Sequence, residues 1–103
     1  MVYTKNKGGG YAMKLLYSDK RIWIEDEEGK TVGEIDFLQD QNGKYDIVHT
    51  GVDPLQQGQG TAGKLVQAAA DYIRSTGRKT GASCSYASAW LERHKEYDDI
   101  YEP

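Results

Sequence analysis

The 103-residue chain has a single cysteine, Cys84, so no disulfide can form within it, and a lone thiol fits a reducing compartment such as the cytoplasm. Apolar runs are short. None approaches the roughly 20 residues that a membrane span requires, and no secretory signal pattern is present. Positive charge is not in excess: 13 Lys and Arg against 16 Asp and Glu leave a net charge of −3. No basic face of the kind that grips nucleic acid follows from that balance, and the 8 tyrosines are scattered rather than interleaved with Lys and Arg. Repeats and low-complexity tracts are lacking, and no His, Cys and Asp cluster has metal-ligand spacing. What remains, 38% hydrophobic and 28% charged, is the composition of one soluble domain with a single core.

Residues 1–12 show no apolar periodicity and end immediately before Met13. Their glycine run, a few codons ahead of a methionine, is what a purine-rich ribosome-binding site gives when translated in frame. The expectation is a disordered tail or a misassigned start, with the domain occupying 13–103. The intact mass of the native protein separates the two.

Arg21 to Ile24 reads as a strand, with Ile22 and Ile24 on one face and Trp23 on the other. Thr31 to Leu38 alternates again, setting Gly33, Ile35 and Phe37 against Val32, Glu34, Asp36 and Leu38. An Asn-Gly hairpin signal at Asn42-Gly43 leads into a third strand, Tyr45 to Val52. Simple alternation there places Tyr45, Ile47 and His49 on one face and Asp46, Val48 and Thr50 on the other. The period then becomes helical. Ala62, Leu65, Val66, Ala69, Tyr72 and Ile73 form an apolar stripe, Lys64, Gln67, Asp71 and Arg74 the wet side, and Gly77 the stop. Lys79 to Ser83 is a fourth strand and Ala87 to His94 a second helix. Tyr97 to Tyr101 packs an isoleucine and a tyrosine back on the body. The order β-β-β-α-β-α, with the fourth strand beside the third, defines an α+β layer arrangement.

Between the third strand and the long helix lies a glycine-rich loop satisfying three phosphate-binding patterns at once. Gly58, Gly60 and Gly63 spell G-x-G-x-x-G. Gly58, Gly63 and Lys64 spell most of G-x-x-x-x-G-K. Gln57, Gly60 and Ala62 spell Q/R-x-x-G-x-G/A. Each pattern uses glycines to turn backbone N–H groups toward an anion, at a helix start whose first donors are unpaired. A dinucleotide fingerprint needs its first glycine directly after the strand and an acid about 20 residues further on. Asp53 to Gln57 intervene here, and Arg78 to Cys84 contains no acid. A triphosphate loop needs Ser or Thr after the lysine to hold magnesium, and Leu65 stands there. Nicotinamide and triphosphate ligands are thereby disfavoured, and the third pattern survives.

With strand, Q-x-x-G-x-A loop and helix in that order, the chain resembles the GNAT acetyltransferase superfamily. It is similar in particular to a small single-domain branch, through His49-Thr-Gly-Val52, Gln57 to Ala62, Ala82-Ser-Cys-Ser-Tyr86 and the Glu96-Tyr97 … Tyr101 ending. The resemblance spans Arg21 to Tyr101. It implies a truncated acyl-CoA N-acyltransferase fold, an antiparallel meander followed by helix, strand and helix. It also implies acetyl-CoA as cosubstrate and an amine as acceptor, with no metal. The pantetheine arm would lie between His49–Val52 and Ala82–Cys84. The diphosphate would rest on the N–H groups of Gln57, Gly58, Gln59, Gly60, Thr61 and Ala62. Thr50, Gly51, Val52 and Tyr86 would complete the cosubstrate contacts, a backbone N–H near Val52 polarising the thioester carbonyl.

Amine acetylation also needs a base and help for the departing thiolate. Cys84, beside the implied thioester, is the candidate for a proton relay or transient acyl acceptor, against the alternative of a small packing residue. His49 is the candidate base, against a structural histidine; Glu34, on the same sheet, could act through water. The tyrosine that many GNAT enzymes place on the last helix falls near Leu91, which leaves Tyr86 and Tyr97 as substitutes. The chain ends before two strands that usually wall the acceptor site, so the acceptor pocket is open or completed by a protein partner. A CoA-binding module without transfer is the alternative to the enzyme.

Overall fold

The structure, a computed structural model, describes the backbone of residues 2–5 and 11–103 and the side chains of 13–103. Six strands form one sheet in chain order: β1 (Val2–Lys5), β2 (Tyr11–Tyr17), β3 (Arg21–Glu25), β4 (Thr31–Gln39), β5 (Tyr45–Val52) and β6 (Thr80–Ala82). β1 to β5 pair antiparallel with their neighbours, and β6 pairs parallel with β5. α1 (Thr61–Ser75) makes the crossover between β5 and β6, and α2 (Ser85–Arg93) follows β6. The order of the last six elements, β3 to α2, is the one the hydrophobic periods predict. β2 is an addition, because Leu15, Leu16 and Tyr17 are apolar without alternation and give no period of two. Of the expected tail, residues 1 and 6–10 lie outside the described residues, while Val2–Lys5 pair with Tyr11–Lys14 of β2.

Both helices pack on one face of the sheet. Ile22, Ile24, Ile35, Phe37 and Ile47 meet Leu65, Val66, Ala69 and Ile73 of α1 and Ala87, Trp90 and Leu91 of α2 in a single buried cluster. Each fully buried Leu, Ile or Phe in such a cluster stabilises the fold by about 1.5–3 kcal/mol. Gly33 lets α1 approach closely, since a Cβ there would come 3.1 Å from Leu65 Cδ1. The C-terminal segment closes the far end: Tyr97 and Ile100 are buried, and Arg74 donates to both carboxylate oxygens of Asp99 at 2.9 and 2.6 Å.

One register change decides where the site residues point. Ile35 pairs with Thr50 and Asp36 with His49, yet Phe37 pairs with Ile47. Val48 is therefore an unpaired extra residue, a β-bulge. Beyond it the alternation is reversed, as a one-residue slip requires. Ile47 faces the helices, and so does Thr50, while His49 faces the opposite, uncovered side with Glu34. The expectation that Ile47 and His49 share a face is overturned by this bulge. Among the described residues no helix is long and apolar enough to cross a membrane.

Candidate active site

β5 and β6 run together only briefly. Their pairs are Tyr45–Thr80, Asp46–Gly81 and Ile47–Ala82, and one more bond, from Cys84 N–H to the Ile47 carbonyl at 3.0 Å, ends the contact. β5 continues to Val52 while the other chain turns into α2. A slot opens between them. In a strand the side-chain face and the direction of the N–H are coupled, so Thr50 and Val52, facing the helices, aim their backbone groups into the slot. Gly51 and Asp53 turn theirs to β4, as the bond from Asp53 N–H to the Val32 carbonyl shows at 2.9 Å.

The slot runs into a cleft of about 390 Å³ lined by Thr50, Val52, Gln56, Gln57, Gly58, Gly60, Thr61, Ala62 and Tyr86. Its floor is the glycine loop. Asp53 caps a short 3-10 turn, Pro54–Gln56, by accepting from Leu55 N–H at 2.8 Å, and the chain then passes through Gly58 (φ 82°) and Gly60 (φ 76°) into α1. Both angles lie in the left-handed region that only glycine adopts cheaply. Gly60 is the N-cap of α1, and with no side chain it leaves the first-turn donors without a side-chain cap. Thr61 and Ala62, which begin α1, line the cleft, and an uncapped helix start is a favourable seat for an anion.

The loop glycines divide their work. Gly63 lies inside α1, where a Cβ would come 3.2 Å from Trp90 Nε1 and 3.6 Å from the Tyr86 hydroxyl. It serves the contact between the two helices, so the third glycine of G-x-G-x-x-G is a packing position. Gly51, expected among the cosubstrate contacts, is directed to the uncovered face of the sheet. Gln59 lines a separate depression with Met13, Asp26 and Glu28. Gln56 was not singled out from the sequence, yet it lines the cleft, and its Oε1 is buried with no hydrogen-bond partner.

Cys84 is the N-cap of α2 and half-buried. Its Sγ is 3.5 Å from Thr50 Oγ1. Burial pushes the thiol up, but the Thr50 hydroxyl and the main-chain N–H groups of Ala87, Tyr86 and Thr50 outweigh it, and the net direction is down from the ordinary thiol value. A helix N-terminus is a recognised setting for such activation. Tyr86 is 40% exposed at the mouth of the cleft. Tyr97 is elsewhere: its hydroxyl donates to Asp71 Oδ1 at 2.7 Å, and burial together with that bond holds its phenol up at about 12. It does not line the cleft, and Leu91, near which the resemblance places a helix tyrosine, is fully buried.

His49 is separated from Cys84 by the sheet. Its imidazole is half-exposed on the uncovered face, and Nε2 lies 2.9 Å from Glu34 Oε2. The two catalytic candidates are thus not in contact; they flank the slot from opposite faces. Among the described residues no group of His, Cys, Asp and Glu is placed to hold a metal ion.

The chain has known relatives. Residues 21–100 match the family model described as GCN5-related N-acetyl-transferase. The chain belongs to that family. Its fold is shared with the solution structure of a GCN5-like candidate N-acetyltransferase from Staphylococcus aureus, at 32% identity and a TM-score of 0.71, with 86% of this chain and 87% of that one covered. A ribosomal-protein-alanine N-acetyltransferase from Brucella melitensis biovar Abortus 2308 is similar at 19% identity and a TM-score of 0.48, over 86% of this chain and 69% of its own. No curated protein matches the chain.

Proposed function

We propose that this protein binds acetyl-CoA in the slot between β5 and β6 and transfers the acetyl group directly to an amine in a ternary complex, in the cytoplasm. The observation that carries this reading is the meeting of two features in one cleft: unpaired strand edge at Thr50 and Val52, and an open helix start behind Gly58 and Gly60. The edge suits the amides of a pantetheine arm, and the helix start suits its diphosphate.

The chemistry then falls to named groups. His49 takes a proton from the incoming ammonium. The free amine attacks the thioester carbonyl carbon, a C–N bond forms, and the Val52 N–H steadies the developing oxyanion. The C–S bond breaks, and the departing thiolate takes a proton from Cys84, with Tyr86 at the cleft mouth as the second candidate donor. The attacking nitrogen gives up its second proton, which restores the donor; amide and CoA thiol leave, and the proton on His49 passes to solvent.

Titration calorimetry tests the first half. Acetyl-CoA and CoA should bind, while magnesium-ATP and NAD should not; heat from the nucleotides and none from acetyl-CoA would reverse the reading. Mass spectrometry of amines incubated with acetyl-CoA tests the second half. A CoA-binding module without turnover is the other reading, and the burial of Leu91 where an acid is usual favours it. Binding without transfer to any amine, in wild type as in Cys84→Ala and His49→Ala, would select the module.

A further inference from the structure

The uncovered face of the sheet contains one arrangement that folding alone does not require. Glu34 and His49 meet at 2.9 Å directly above Gly51. A Cβ on Gly51 would collide with Glu34 Oε2 and stand 3.0 Å from His49 Nε2. Glycine within a strand weakens it, and a half-exposed carboxylate–imidazole contact returns little stability. Two such concessions at the edge of the slot point to a chemical use.

The surroundings sharpen it. In register, Trp23 lies opposite Glu34, and Glu34 opposite Gly51. Trp23, Glu34 and Gly51 therefore form one row leading to the slot, and His49 reaches into it from the neighbouring row to meet Glu34. Asp36, opposite His49, is already neutralised by Arg21, whose Nε and Nη2 donate at 2.5 and 2.9 Å. Asp46, on β5, is occupied by the Ser83 N–H and hydroxyl at 2.7 and 2.6 Å. Glu25 accepts from Trp23 Nε1 at 3.0 Å, with Lys14 opposite it in register. Glu34 has His49 as its hydrogen-bond partner, with the Arg21 guanidinium within electrostatic reach.

We propose that the acceptor is an alkylammonium group on a basic peptide that crosses this open face, and that Glu34 is the positioning residue holding His49 to receive its proton. The inference rests on the acetyl-transfer reading. Donating Nε2–H to Glu34 fixes the tautomer and leaves the lone pair of Nδ1 free. The ammonium proton passes to Nδ1, and the amine nitrogen attacks the thioester through the slot. The imidazolium then gives its proton to solvent. The Trp23 indole and the Glu34 charge favour a cation on the approach.

The test uses full-length protein, acetyl-CoA, and two peptides whose single acetylatable lysine is flanked either by arginines or by glutamates. Wild type should acetylate the arginine-flanked peptide and strongly prefer it. His49→Ala should lower kcat by about 10²–10⁴-fold, and Glu34→Ala by roughly 10–100-fold, with acetyl-CoA affinity unchanged by calorimetry. Glu34→Gln, which still accepts through its amide oxygen, should recover part of the loss. Long-range ¹H–¹⁵N spectra should show neutral His49 as the Nε2–H tautomer in wild type and as a mixture in Glu34→Ala. Undiminished transfer in Glu34→Ala, preference for the glutamate-flanked peptide, an unchanged tautomer, or acetyl-CoA binding with no transfer to either peptide would each overturn this inference alone. Absence of acetyl-CoA binding would overturn the acetyl-transfer reading, and this inference with it.

Discussion

Thr50 Oγ1 and Cys84 Sγ face each other at 3.5 Å across the slot, one from the free edge of β5 and the other from the N-cap of α2. The thiol can donate to the hydroxyl; once ionised, the sulfur accepts from it instead. Thr50 faces this way only because the Val48 bulge has reversed the strand.

Cys84 should therefore be alkylated by iodoacetamide near neutral pH faster than a free cysteine, because its pKa is held below the ordinary thiol value. Thr50→Val removes the hydroxyl donor and should slow the reaction several-fold, and CoA in the cleft should protect the thiol. Peptide mapping against time checks all three; a Thr50→Val rate equal to wild type would remove the hydroxyl from the account.

Gly60 has φ of 76° at the helix start, with open space where a side chain would sit. Alanine there meets no neighbour but must adopt the left-handed region, at a cost of about 1–2 kcal/mol. Thermal denaturation should show a lower Tm for Gly60→Ala, and calorimetry a weaker CoA affinity, since the loop amides would shift.

Gly63 should behave differently. Alanine gains helix propensity of about 1 kcal/mol, while the 3.2 Å approach of Trp90 Nε1 opposes it. Gly63→Ala should stay within about 1 kcal/mol of wild type and keep CoA affinity. Gly63→Val overpacks the helix contact and should cost about 1–3 kcal/mol. Paired melting curves decide; a large affinity loss in Gly63→Ala with unchanged Tm would return this glycine to the phosphate site.

Tyr97 links stability to alkaline pH. Its folded-state pKa is raised from 10.0 to about 12, so the protonated phenol is the form that folding favours. That contribution is complete below the unfolded value and is lost as pH climbs through the folded one. Melting temperatures taken from pH 9 to 12 should fall more steeply for wild type than for Tyr97→Phe.

The helical stripe from Ala62 to Ile73 could be read from the sequence because a buried face repeats every few residues. The anion loop could be read because glycines at a strand-to-helix junction have few other uses. The bulge at Val48 could not. Asp46, Ile47, Val48, His49 and Thr50 all suit a strand, and nothing in them marks the extra residue, so alternation alone puts His49 on the wrong face. Gly51 offered no local signal either, since its reason is the space taken by Glu34 from another strand. Gln56 precedes the recognisable motif, and its buried Oε1 is visible only once the turn is folded.

The bulge also gives the domain two doors. Shifting one residue out of the ladder sends a hydroxyl to the compartment where a nucleotide carrier can lodge and an imidazole to the compartment open to a polymer. Were Val48 drawn into the ladder instead, the two would exchange, leaving the proposed carrier beside a base and the visitor beside an alcohol.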